Sequence, residues 1–163
     1  MTEFEALYGR YAADVFRFAL FLSGNRADAE DITSETFVRA RAASDTIRAG
    51  TVKAYLFAIA RNQFRMLRRR ERLRPSEVSA WMADPNPGPA DIVVSQIELE
   101  RVLTTLQQLP ESDRAALLMR GQDAMPYEVI ASVLEKSVAA AKVKVHRARI
   151  KLEAMLQGRK DRT

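Results

Sequence analysis

Apolar residues recur at helical spacing along most of the chain, and the elements this pattern predicts are helices. Phe4, Leu7, Tyr8, Tyr11, Val15, Phe18, Ala19 and Leu22 trace one stripe over residues 3–23, and Gly24-Asn25 supplies a stop. A second helix is expected over about 27–43, with Ala29, Ile32, Thr33, Phe37 and Ala40 inward. After a loop at 44–50, residues 51–74 (TVKAYLFAIARNQFRMLRRRERLR) align Val52, Leu56, Ile59, Ala60 and Leu67 on one face. Three helices with complementary apolar faces make a small bundle, and no strand pattern appears in this half. Four of the six prolines (Pro75, Pro85, Pro87, Pro89) then fall within 75–91, which reads as a linker holding the only tryptophan, Trp81.

Beyond the linker, Asp91 can cap a helix running to Gln108, with Ile92, Leu99, Val102, Leu103 and Leu106 inward, and Leu109-Pro110 breaks it. A helix over about 111–120 follows, then two more at 126–134 and 137–156, joined by a turn at Glu135-Lys136. Ile130, Ala131 and Leu134 would pack on Val138, Ala141 and Val145, the layout of a helix-turn-helix with Ser137 as N-cap of the second helix. The expected fold class is all-α: two small helical domains, 1–75 and 96–163, joined by a Pro-rich linker at 76–95.

Length and composition narrow the class. The 163 residues allow one domain or two small ones, and 47% hydrophobic content is enough for a core. Cysteine is absent, the first residues are acidic, and Arg17 interrupts the best apolar run at 16–22. A soluble, cytoplasmic protein is expected. The net charge of +5 is unevenly spread. Residues 60–75 hold seven Arg against Glu71 alone, and 136–151 hold six Lys and Arg and no acid. Residues 76–110 carry five acids against Arg101, so two basic poles flank an acidic middle, as two contacts on one polyanion would require.

In the helix at 51–74, Arg61, Arg65, Arg68 and Arg72 recur opposite the apolar stripe, with Phe57 and Phe64 on one border and Asn62 on the other. Cations neutralise phosphates and rings can stack on unpaired bases, so this face suits a nucleic-acid strand. A solvated helix made soluble by arginine is the alternative. The late helix offers Lys142, Val143, His146 and Arg147 opposite Ala141, Ala148 and Leu152, the face a major groove would meet. An ordinary helical hairpin is its alternative. Asp28, Glu30, Asp31 and Glu35 precede Arg39 and Arg41 on the second helix, an order that complements the helix dipole. A docking surface for a basic partner is the other reading. One histidine, no Cys, no Gly-rich phosphate loop and no metal-ligand spacing argue against an enzyme, a cofactor, a metal or a small-molecule substrate.

Three segments together bring a family into view. DAEDITSETFVRA (28–40), AYLFAIARNQFRMLRRR (54–70), and LPESDRAALLMR (109–120) with YEVIA (127–131) and KVKVHRARIKL (142–152) resemble the extracytoplasmic-function group of sigma-70-like RNA polymerase sigma factors. The resemblance implies a polymerase-docking and minus-ten domain followed by a minus-thirty-five domain. It implies Asp28, Glu30, Asp31 and Glu35 as the acids facing the clamp helices of the largest polymerase subunit, which turns the dipole reading toward docking. It implies Arg61, Asn62, Arg65, Arg68 and Arg69 at the minus-ten strand, with Asn62 helping to capture a flipped base; Phe57 and Phe64, from their place on the helix, and Lys53 are expected beside them. Ser137, Lys142, Val143, Lys144, His146 and Arg147 are implied at the minus-thirty-five duplex. Implied partners are core polymerase (clamp helices and flap), promoter DNA and an anti-sigma factor.

The chain also departs from the family pattern. Met66 stands where Asp is usual, Glu135 where the turn carries Gly, and Ala139-Ala140-Ala141-Lys142-Val143 where the family has Gly-Thr-Val-Lys-Ser. A non-Gly residue at the turn must accept positive φ. The functional expectation is a sigma factor that binds polymerase and directs promoter recognition and melting. Its rivals are a sigma mimic that titrates an anti-sigma factor and a stand-alone helix-turn-helix regulator.

Overall fold

A computed structural model describes residues 2–42, 52–73 and 90–160, without the side chains of 90–95 and 159–160. The expected loop at 44–50 and the stretch around Trp81 and Pro85–Pro89 lie outside the described residues. Seven helices account for the described chain: α1 (Glu3–Ser23), α2 (Arg26–Ala42), α3 (Val52–Leu73), α4 (Ala90–Leu106), α5 (Glu111–Asp123), α6 (Tyr127–Leu134) and α7 (Val138–Lys160). None is long and apolar enough to cross a membrane.

Local chemistry sets the helix ends. Thr2 and Glu5 close a capping box at the start of α1, Thr2 Oγ1 accepting from Glu5 N at 3.1 Å and Glu5 Oε2 from Thr2 N at 3.2 Å. Gly24 ends α1 with φ of 73°, and Asn25 Oδ1 accepts from Asp28 N at 3.0 Å to begin α2. At the α6–α7 turn Glu135 takes φ of 56°, the left-handed conformation that its position demanded. Ser137 Oγ then caps α7 by accepting from Ala140 N at 3.1 Å. α4 begins at Ala90, inside the stretch assigned to the linker.

The first three helices bury most of the residues their periodicity nominated; Phe4, Leu7, Tyr11, Ile59 and Leu67 are half-buried, and Tyr8 is corrected to an exposed position at 48%, with its ring edge on Phe37. Val15, Phe18, Ala19 and Leu22 of α1 meet Ala29, Ile32, Phe37 and Ala40 of α2, and Leu56 and Ala60 of α3. In the second half Leu103, Leu106, Ala115, Met119, Ile130, Ala131, Ala141, Val145 and Ala148 are buried. Leu99 breaks the expectation. It is 39% exposed beside the 49% exposed Ile97, although it shares the stripe of the buried Leu103 and Leu106 one and two turns further on.

The two halves are not separate bodies. Their buried residues form one cluster that passes from α1 and α3 to Leu106 and Leu109, and α1 packs on α4 and α5 while α3 packs on α6. Gln107 reaches across to donate from Nε2 to the Leu22 carbonyl at 3.2 Å, capping the end of α1. A Cβ on Gly24 would lie 2.9 Å from that Nε2, so a larger residue there would displace the Gln107 side chain, and the positive φ itself favours glycine. Arg114 is 5% exposed, its Nη1 donates to the Leu109 carbonyl at 3.1 Å, and its guanidinium lies 5.6 Å from the Phe64 ring across the boundary. Burial pulls the Arg114 pKa down to about 10, which leaves it charged at neutral pH.

Candidate nucleic-acid interface

α3 presents two different polar faces, and the arginine series divides between them. Arg65 and Arg69 are exposed together with Asn62, and they line a depression of about 440 Å³ with Arg39, Ile59, Gln63 and Met66. Three guanidinium groups and two side-chain amides around one hollow can hold a phosphate and offer hydrogen bonds to a base edge. Met66 is 40% exposed here, so the carboxylate usual at this position is replaced by an uncharged thioether. Sequence reasoning missed Arg39 and Gln63 as site members. The sequence marks Arg39 only as a helix-dipole cation, and the one local hint for Gln63 is its place beside Asn62.

The remaining members of the minus-ten set lie elsewhere. Phe57 is fully buried and stacks on Phe18 with centroids 4.5 Å apart and planes at 13°, so it belongs to the bundle core and not to a base-stacking edge. Phe64 is 3% exposed, enclosed by Arg68 at 4.9 Å and Arg114. Both expectations of aromatic stacking on DNA are therefore corrected. Residues 57, 61, 64 and 68 share one stripe next to the 56/60 stripe, and the buried face is wider than the five-residue pattern implied. Arg68 donates to the Ser23 carbonyl at 2.9 Å and to Glu71 at 2.8 Å. Arg61 is 7% exposed and forms a two-pronged pair with Glu111 of α5, Nε to Oε1 at 2.7 Å and Nη2 to Oε2 at 2.9 Å. Lys53 sits 2.7 Å from Asp123 Oδ1 and 3.3 Å from Asp14 Oδ2. Burial opposes its charge, but the hydrogen bond and charge of Asp123, with those of Asp14, outweigh burial and raise its pKa.

The acids of α2 border a second depression of about 450 Å³, lined by Asp31, Ile32, Ser34, Glu35, Val38, Arg39, Gln63, Leu67 and Arg70. Glu30 and Asp31 are exposed, with Glu30 3.7 Å from Arg26, and Glu35 pairs with Arg39 at 3.2 Å. Val38, 62% exposed, gives this acidic surface an apolar centre. Asp28 is half-buried. Burial first and the Glu71 charge second push its pKa up.

On α7, Lys142, Val143, His146 and Arg147 are exposed, while Ala141, Val145 and Ala148 are buried, the division expected of a recognition helix. Two of the cations expected at the duplex are already engaged. Arg147 pairs with Asp113 of α5 through Nε to Oδ2 at 2.7 Å and Nη2 to Oδ1 at 2.9 Å, and Lys144 donates to Ser112 Oγ at 3.0 Å. The Arg147 hydrogen bonds outweigh burial and hold the Asp113 carboxyl below its usual range. Lys142 lies 5.7 Å from the Tyr127 ring.

A helical bundle with an acidic groove and a guanidinium-amide hollow, followed by a helix-turn-helix, defines a DNA-binding protein of transcription. Sigma-70 region 2 matches residues 7–74 and Sigma-70 region 4 matches residues 99–152. The chain is 35% identical over 143 residues to the ECF RNA polymerase sigma factor EcfG of Rhodopseudomonas palustris, covering 85% of this chain and 77% of the relative. It is 32% identical to the ECF sigma factor SigE of Mycolicibacterium smegmatis, over 96% of this chain and 62% of that one. The sigma factor RpoE of Bartonella quintana, solved with the anti-sigma factor NepR, superposes with a TM-score of 0.78 and 26% identity, over 96% of this chain and 98% of that one. The chain belongs to the sigma-70 family of RNA polymerase sigma factors, in its extracytoplasmic-function (ECF) group.

Proposed function

We propose that this sigma factor acts in the cytoplasm, without catalysis of its own, and divides initiation among three surfaces. Glu30, Asp31 and Glu35, around Val38, dock on a basic partner helix of core polymerase, with the half-buried Asp28 at the edge of this surface. Asn62, Gln63, Arg65 and Arg69, with Arg39, receive an extruded base and its phosphates, and Arg61 and Lys53 join them when their carboxylate partners withdraw. Lys142 and His146, with Val143, meet the upstream major groove, where Lys144 and Arg147 are held in orientation by Ser112 and Asp113. Ser137 serves this surface as the N-cap that sets where α7 begins.

The observation behind this reading is the adjacency of the two α2–α3 depressions, which share Arg39 and Gln63. Docking and base capture therefore occur on one rigid pair of helices. Extruding a base costs a few kcal/mol, and a pocket that recovers this shifts the duplex toward the open form. An anti-sigma factor is the expected regulator. Two similar solved structures support this: the sigma factor RpoE is bound to the anti-sigma factor NepR, and CnrH is bound to the cytosolic domain of CnrY.

Reconstitution tests the assignment. Core polymerase supplied with this chain and host genomic DNA should give transcripts with discrete 5′ ends that neither component produces alone. Tight binding to core with no start site would instead support a decoy that competes for anti-sigma factor.

A further inference from the structure

The end of α7 that would enter a groove offers few side chains able to hydrogen-bond a base. In a helix-turn-helix the N-terminal residues of the second helix meet the base edges. Over 137–143 (SVAAAKV) the polar side chains are those of Ser137 and Lys142. Ser137 Oγ is taken up in capping, accepting from Ala140 N at 3.1 Å, and Lys142 Nζ lies 5.7 Å from the Tyr127 ring, a point charge that serves a phosphate. Ala139 and Val143, one turn apart on the same side, are exposed, Val143 at 56%. What is left here for telling bases apart is apolar contact, and the apolar group of the major groove is the C5 methyl of thymine. We propose that Val143 is a specificity-determining residue of the upstream contact, selecting a pyrimidine that carries a C5 methyl. This rests on the assignment of α7 to the upstream major groove.

The surroundings of Val143 support a fixed reader rather than a stray surface residue. A valine in a helix keeps one strongly preferred χ1, so its methyls project in a set direction. Lys144 is drawn off this face toward α5, donating to Ser112 Oγ at 3.0 Å. Arg147, one turn beyond Val143, gives Nε and Nη2 to Asp113 at 2.7 and 2.9 Å. That pairing uses one side of the guanidinium and leaves its Nη1–Nη2 end free to hold the helix on the duplex. One turn rises about 5.4 Å and stacked pairs lie about 3.4 Å apart, so the Val143 contact falls one or two pairs from that of Arg147. A hydroxyl at position 143 could bond more than one base, whereas Val143 discriminates methyl from hydrogen alone.

Holoenzyme reconstituted with the full chain can select duplexes from a pool randomised over the upstream segment. A thymine should emerge at one fixed position. Deoxyuracil there, which removes only the methyl, should weaken binding about fourfold, the worth of one buried methyl. At the same position 5-methylcytosine should bind better than cytosine by a similar factor. Val143→Ala, at an exposed helix position, should bind thymine and deoxyuracil alike, and Val143→Thr, which keeps one methyl, should retain part of the preference. No fixed thymine, equal affinity for thymine and deoxyuracil at every selected position, or a methyl preference that survives Val143→Ala would overturn the proposal. Failure of the groove assignment itself reads differently, because Lys142→Ala and Arg147→Ala would then leave upstream affinity unchanged. If those two variants lower it while the methyl exchange has no effect, the groove assignment stands and Val143 alone loses its role.

Discussion

The two basic helices, α3 and α7, look alike in sequence and are used differently in the fold. Each repeats cations at helical spacing, and each has an arginine held by both oxygens of an α5 carboxylate. On α7 that carboxylate is Asp113, within its own half, so Arg147 stays exposed and is merely oriented. On α3 it is Glu111, from the opposite half, so Arg61 is buried. One residue type, with the same two-oxygen grip, is thus exposed in one place and buried in the other. What differs is whether the acceptor belongs to the helix's own half or to the opposite one.

Four changes would break or sharpen this contrast. The largest effect is expected at Phe57, which α3 gives to its own core. Phe57→Ala should destabilise the fold by about 3–5 kcal/mol, read by urea unfolding. An unchanged stability with lost DNA binding would return Phe57 to the strand surface. Next, Glu30→Lys with Asp31→Lys should weaken core polymerase binding by about a hundredfold, a like-charge clash of several kcal/mol. Intact holoenzyme assembly would remove docking from α2. Lys142→Ala should cost upstream duplex binding about 1 kcal/mol and lower the salt slope by about one ion. An unaltered slope would take Lys142 off the phosphate backbone.

The smallest effect concerns acid. Because the folded state holds the Asp113 pKa down, that group adds stability above its ordinary pKa of 3.8, and the contribution fades as pH falls through the folded value. Melting temperature should fall more steeply below about pH 4 in the wild type than in Asp113→Asn. Parallel curves would show that Asp113 contributes nothing to orienting α7.

Periodicity made much of this fold legible. The Val15/Phe18/Ala19/Leu22 part of the α1 stripe, the Gly24-Asn25 stop, the Ser137 cap and the strained turn at Glu135 all depend on neighbours within a few residues, and all appear where the pattern put them. The exposed Lys142/Val143/His146/Arg147 face of α7 was readable for the same reason. What escaped was set by distant chain. Glu111 lies fifty residues from Arg61, and no spacing rule links them. A helical wheel shows one buried face for α3 but not a second, where Phe57 meets Phe18 and Phe64 meets Arg114. Arg39 and Gln63 escaped because the hollow they line forms only when α2 lies against α3.

The central claim is that the cationic face of α3 opens the promoter while α2 holds polymerase. Arg61→Ala with Arg65→Ala in the holoenzyme, followed by 2-aminopurine fluorescence at the minus-ten element, tests it most directly. Open complex should fall by about tenfold or more, as loss of two phosphate contacts implies, with core affinity unchanged. Equal loss of core binding and melting, or melting at the wild-type level, would contradict it.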